Sequence, residues 1–160
     1  MSLVFVPEET HAGESRVAAT PETVQKMVKE GFEVAVQSGA GAASWFSDAA
    51  YEKAGARIVP DGEAEGAWSA ADAVLVVRPP APERARKLRK DALLVGLLAP
   101  YKSTELIEAL NEGGVSSLAM ELVPRISRAQ SMDALSSQAS IGGYKAVVLA
   151  AAHLGRYFPL

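Results

Sequence analysis

Short apolar runs alternate along this chain with segments whose apolar residues recur every three to four positions, and turn residues separate the two. LVFV (3–6), FEVAVQ (32–37), ARIV (56–59), AVLVV (73–77), LLVGLL (93–98) and VSSLAM (115–120) read as strands. Thr20 before Pro21 opens a helix with Val24, Met27 and Val28 on one stripe, and Gly31 stops it. Ser47 caps a shorter helix that ends at Gly55, and a helical turn lies around 63–70. Ser103 starts another helix, carrying Leu106, Ile107 and Leu110 as far as Gly113-Gly114. Strands that alternate with helices demand crossover connections, hence a sheet covered on both faces. The expected fold is α/β: a doubly wound, mostly parallel sheet of Rossmann or flavodoxin type.

From Asp133 to Tyr157 a single helical pattern runs through Leu135, Ile141, Tyr144, Val148, Ala151 and Leu154. Gly142-Gly143 in its middle cost helix stability, so the spacing predicts another backbone close by. The expected organisation is an α/β domain over 1–132 and a long helix over 133–160. At 160 residues the chain is long enough to bury a core. Its net charge of −3 argues against a general affinity for nucleic acid, and the lack of cysteine excludes disulfides and thiolate chemistry. No signal-peptide pattern opens the chain, and its apolar runs are too short to cross a bilayer, so the expected location is cytoplasmic.

Several stretches offer chemistry. Gly39-Ala-Gly-Ala-Ala-Ser44 is close to G-x-G-x-x-G, a turn whose amides cradle a pyrophosphate. It is better read as a glycine-rich strand-to-helix turn, because Trp45-Phe46-Ser47-Asp48 does not continue it as a clean helix. Arg84, Arg86, Lys87, Arg89 and Lys90 form a basic cluster, read as a solvated helix face. Arg16 lies in the long loop after the first strand, where such sheets bind ligands. Its planar fork suits a carboxylate or phosphate, and equally a salt bridge to Glu14. His11 and His153 have no partners at metal-ligand spacing, and no metal site is assigned.

The richest stretch is MELVPRISRAQSMDALSSQAS (120–140), which packs two arginines, two glutamines, an aspartate and five serines between a strand and the long helix. A capping box Ser127-x-x-Gln130, or a cap from Ser131 or Asp133, accounts for some of these groups. Arg125, Gln130, Asp133 and Ser136 together exceed what one helix start needs. They form a candidate ligand-binding corner.

These residues also carry a family likeness. GESRVAATP, FEVAVQSGAG, YEKAGA and above all AMELVPRISRAQSMDALSSQASIGGYKAV resemble the first part of the NAD(H)-binding alpha subunit of proton-translocating NAD(P) transhydrogenase, a relative of alanine dehydrogenase. The resemblance implies a component that binds NAD(H) and exchanges hydride with NADP(H) held on a partner domain. Arg125, Gln130, Asp133 and Ser136 would be cofactor-binding residues around the nicotinamide, with no protein acid or base needed. It also implies a homodimer held at the membrane through a membrane-domain, NADP-binding partner subunit. Alanine dehydrogenase instead grips its keto acid with a lysine and a histidine at places matching Val76 and Leu98 here. The resemblance implies that a second, Rossmann-type domain follows the segment ending in YFPL and binds the pyrophosphate and adenosine of NAD with its glycine-rich turn. A non-catalytic docking module and a relative of alanine dehydrogenase using Arg16 are the alternative expectations.

Overall fold

The computed structural model describes residues 2–156. Strand β1 (Leu3–Val6) has parallel neighbours on both sides: β2 (Glu33–Gln37), in register Val4 to Val34 and Val6 to Val36, and β4 (Ala73–Leu75), with Phe5 beside Val74. β3 (Arg57–Val59) extends the sheet beyond β2, and β5 (Leu93–Gly96) and β6 (Ser116–Ala119) extend it beyond β4. The order is β3-β2-β1-β4-β5-β6, all parallel. This is the doubly wound arrangement, whose direction of winding reverses between β1 and β4.

The period-2 alternation of the strands divides the core. Val4, Val6, Val34 and Val36 point to one face, against Val24 of α1 (Pro21–Lys29) and Tyr51 of α2 (Asp48–Lys53). Phe5, Ala35, Val74 and Leu94 point to the other, against Trp68 of α3 (Ala64–Ala70) and Leu106, Ala109 and Leu110 of α5 (Thr104–Gly113). Phe5, Tyr51 and Trp68 are fully enclosed. Each contributes about 2–3 kcal/mol of burial free energy.

Capping follows the sequence signals. Thr20 accepts the Thr23 amide, Ser47 accepts the Ala50 amide, and Gly114 ends α5 in the left-handed region at φ 64°. The expected strand over 73–77 stops at Leu75, because the Val77 amide turns to the Glu9 carboxylate. The expected strand over 93–98 stops at Gly96. The basic segment does not form a helix along its length: α4 is one turn, Pro82–Ala85.

The chain divides into two compact units, Met1–Ala119 and Met120–Leu160. The second contains short 3-10 turns at Met120–Leu122 and Ser127–Met132 and the helix α6 (Ala134–His153). The pattern predicts α6 as far as Tyr157, but the helix ends at His153, where Leu154 turns extended as its C-cap; Tyr157 itself lies outside the described residues. None of its residues is buried, and open space surrounds the Cβ positions of Gly142 and Gly143. The close backbone approach expected there is not made among the described residues. No described helix is long and apolar enough to cross a membrane.

Candidate functional site

The glycine-rich turn after β2 is occupied by the protein's own groups. Asp48 accepts the Gly39 amide at 3.0 Å and the Ser38 hydroxyl at 2.7 Å, taking donors a pyrophosphate would need. Gly39 sits at φ 78°, and a Cβ on Gly41 would stand 2.6 Å from the Tyr51 ring. Tyr51 donates its hydroxyl to the Ala19 carbonyl at 2.8 Å, and desolvation pushes its pKa up to about 12. Both glycines are therefore explained by chain geometry and packing. The turn also presents Trp45, left-handed at φ 66° and almost wholly exposed, a conformation that no sequence signal announced.

The basic segment is paired in the same way. Arg84 and Lys87 share Glu65, Arg86 meets Glu112, and Arg89 meets Asp72. Arg84 also lies 4.2 Å over the Trp68 ring, and its carbonyl accepts the indole N–H. The cluster fastens α4 to its neighbours.

A crevice of about 860 Å³ opens beyond the ends of β1 and β4, at the point where the winding reverses. Glu9, His11, Val76, Arg78 and Lys102 are among its lining residues. Two carboxylates of the loop after β1 act here: Glu9, unremarked in the sequence, is one of the lining residues, and Glu14, expected there as a partner for Arg16, also holds the lining residue Arg78. Glu9 accepts the Val77 and Arg78 amides at 2.5 and 3.2 Å. Glu14, its side chain only 6% exposed, binds the Arg16 fork at 2.7 and 2.5 Å and reaches Arg78 at 3.3 Å. Hydrogen bonds from Arg16 outweigh desolvation and hold the Glu14 carboxyl at about 2. Of the two readings of Arg16, the salt bridge to Glu14 is the one the structure forms. Val76 and Leu98 are buried apolar side chains.

The second unit carries the remaining candidates. Asp133 caps α6: its carboxylate accepts the Ser136 amide at 2.9 Å and the Ser136 hydroxyl at 2.6 Å. Those bonds, with a smaller contribution from the charge of Arg125, lower its pKa. The Ser137 hydroxyl donates to the Asp133 carbonyl at 3.0 Å. Ser127 does not form its expected box; the turn that follows is 3-10, and Ala129 is its buried anchor. Arg125, Arg128 and Gln130 are exposed, and their side chains form no hydrogen bond or ion pair among the described residues. Thus Asp133 and Ser136 are brought into one cap, which Arg125 reaches only through its charge and which Gln130 does not join. Arg16 belongs to the other unit.

The profile of the alanine dehydrogenase/PNT N-terminal domain family matches residues 5–142. The NAD(P) transhydrogenase subunit alpha of Cereibacter sphaeroides is 43% identical over 97% of this chain and 29% of its own length. The crystal structure of transhydrogenase from Sinorhizobium meliloti superposes with a TM-score of 0.91 at 42% identity, over 99% of this chain and 47% of that one. An L-alanine dehydrogenase structure superposes with a TM-score of 0.70 at 34% identity, over 76% of this chain and 33% of its own. The chain therefore spans less than half the length of these relatives. A profile match over most of the sequence, joined to this structural agreement, places the chain in the alanine dehydrogenase/PNT N-terminal domain family.

Proposed function

We propose that this chain is the first part of an NAD(H)-binding transhydrogenase alpha subunit and supplies the nicotinamide-facing side of its site. The supporting observation is the pair of uncommitted side chains, Arg125 and Gln130, beside the Asp133–Ser136 cap. A nicotinamide carboxamide offers one carbonyl acceptor and one amide donor. A guanidinium and a primary amide answer both, so the residues present fit the group. When bound, the dinucleotide supplies the hydride, exchanged with NADP(H) on a partner domain. The protein then has only to fix distance and orientation, for which no acid or base is required. Asp133 and the 3-10 turn hold the presenting backbone; Arg125, Gln130 and the Ser136 hydroxyl orient the ring.

In this reading the chain acts at the cytoplasmic face, in a homodimer, and reaches the membrane only through its partner subunit. The rest of the dinucleotide is held by a further domain. Titration of the 160-residue chain with NADH should accordingly show no calorimetric binding, and micromolar binding would move the site elsewhere. In a complete alpha subunit beginning with this sequence, Gln130→Ala should lower the hydride-transfer rate at least tenfold without altering the melting temperature. An unchanged rate sinks the assignment.

Amino-acid oxidation is the weaker reading. Arg16 is engaged by Glu14, and Val76 and Leu98 offer no proton donor. The docking-module reading has one observation in its favour, the exposed apolar α6, with Ile141 62% and Tyr144 75% exposed. It predicts partner binding without any effect of Gln130.

A further inference from the structure

Three basic side chains from three separate loops line the crevice at the end of the sheet. His11 comes from the loop after β1, Arg78 from the loop after β4 and Lys102 from the loop after β5. Their commitments are few. Arg78 meets Glu14 through Nε, at 3.3 Å, and its two Nη groups make no hydrogen bond among the described residues. The Lys102 and His11 side chains have no partner there at all. Of the acids in the lining, Glu9 is taken by the Val77 and Arg78 amides, whereas Glu8 and Glu105 stay exposed.

The residues around Lys102 indicate which anion would suit. Gly96 ends β5, and Lys102-Ser103-Thr104 lead on into α5. The Ser103 hydroxyl makes no capping bond, and Ser103 and Thr104 both line the crevice. A lysine followed by a hydroxyl residue, at the end of a strand-to-helix loop, is the pair of side chains with which P-loops contact phosphate. Tyr101 stands where such a loop needs its second glycine, so the backbone cannot wrap the anion and side chains must carry the contact. From the neighbouring strand end, the Arg78 fork matches phosphate oxygens. The rest of the lining includes buried, apolar Val76 and Leu106 and half-buried Pro79 and Pro80.

We propose that this crevice is a phosphate site, in which Lys102 and Arg78 bind free phosphate or the phosphate of a small monoester. It differs from the keto-acid grip of alanine dehydrogenase: Arg16 and Leu98 are not in its lining, and Val76 offers no polar group. It also shares no residue with the nicotinamide assignment, so the two stand or fall separately. The exposed charges of Glu8 and Glu105 oppose an anion, which sets the expected affinity in the millimolar range.

The test is a titration of the chain, followed by amide NMR, with inorganic phosphate, phenyl phosphate and benzoate. The amides of Lys102, Ser103 and Thr104 should shift saturably at millimolar phosphate. Lys102 is exposed and holds no acid, so Lys102→Gln should leave the fold intact. It should weaken the response at least threefold, and Lys102→Arg should recover part of it. Phenyl phosphate separates the sources. Binding several-fold tighter than inorganic phosphate assigns an ester whose body lies on the apolar lining, and equal or weaker binding assigns free phosphate. Three results overturn the proposal: no saturable shift at residues 102–104 with either phosphate probe, an undiminished response in Lys102→Gln, or benzoate binding as tightly as phenyl phosphate.

Discussion

Ser136 donates twice to one carboxylate: its amide and its hydroxyl both reach Asp133, at 2.9 and 2.6 Å. The pair is a helix cap before it is anything else. It fixes where α6 begins and therefore where the preceding turn presents Arg125 and Gln130. A cap and the proposed ligand site on the same four residues make different demands on a mutant.

Asp133→Ala removes the acceptor and should fray the first turn of α6, whereas Asp133→Ser, itself a good cap, should preserve it. Amide exchange at Ser136 and Ser137 measures this directly. Faster exchange in the alanine variant alone is the expected result. Equal protection in both variants and in the parent would mean that the cap does not hold the turn.

The Gly41–Tyr51 contact gives a second expectation. A methyl group on Gly41 would stand 2.6 Å from the Tyr51 ring, 2.8 Å from its hydroxyl and 2.9 Å from the Phe46 Cβ. All three belong to packed side chains, one of them hydrogen-bonded to Ala19, so the neighbours have little room to yield. Gly41→Ala should cost about 1–3 kcal/mol by overpacking. Urea denaturation reads the loss. A variant as stable as the parent would return the glycine to a functional role, since packing would no longer explain it.

This turn also shows what a sequence can and cannot disclose. The strand–helix alternation was readable because period 2 and period 3.6 are local, and all six strands lie where the pattern puts them, differing only at their ends. Those ends are set by partners far away in sequence. Val77 leaves its strand for Glu9, 68 residues earlier, and no local signal specifies that bond. The same distance hides the second partner of Glu14: the bridge to Arg16 is legible two residues away, but Arg78 comes from the loop after β4. In the 120–140 stretch the polar surplus was legible. The division between capping and uncommitted groups was not, because it depends on a 3-10 turn that propensity does not distinguish from the start of α6.

Gly96, the last residue of β5, provides a third prediction. A Cβ there would run into the Val76 carbonyl, a backbone atom that cannot rotate away, and into the Val76 side chain. β4 and β5 approach closely because Gly96 has nothing to interpose, and the Val76 amide bonds the Val95 carbonyl at 2.9 Å. Gly96→Ala should push the strands apart and destabilise the fold by about 3 kcal/mol or more, at the upper end of overpacking costs. The amide of Val76 should lose exchange protection while that of Val34, two strands away, keeps it once corrected for global stability. Uniform loss across the sheet would show that the effect is not confined to this contact.

Glu14 supplies the expectation with a definite pH signature. Its carboxylate holds Arg16 and Arg78 together, joining the loop after β1 to the end of β4. The folded pKa, about 2, lies below the ordinary 4.5, so the charged form is preferred more strongly in the folded chain than in the unfolded one. The resulting stability is fully present above about pH 4.5 and disappears as the pH falls towards 2. Glu14→Gln keeps the shape and loses the charge, leaving two arginines with a neutral acceptor. At pH 7 the variant should be less stable by about 1–3 kcal/mol, the cost of a weakened charged hydrogen-bond network. The gap between parent and variant should be constant from pH 7 to about 5 and should narrow steadily below 4.5. Thermal melts of both proteins at half-unit pH intervals give that difference curve. A gap that persists unchanged to the lowest pH at which both fold would mean that Glu14 acts through packing alone, and the rim of the crevice would then owe its arrangement to Glu9.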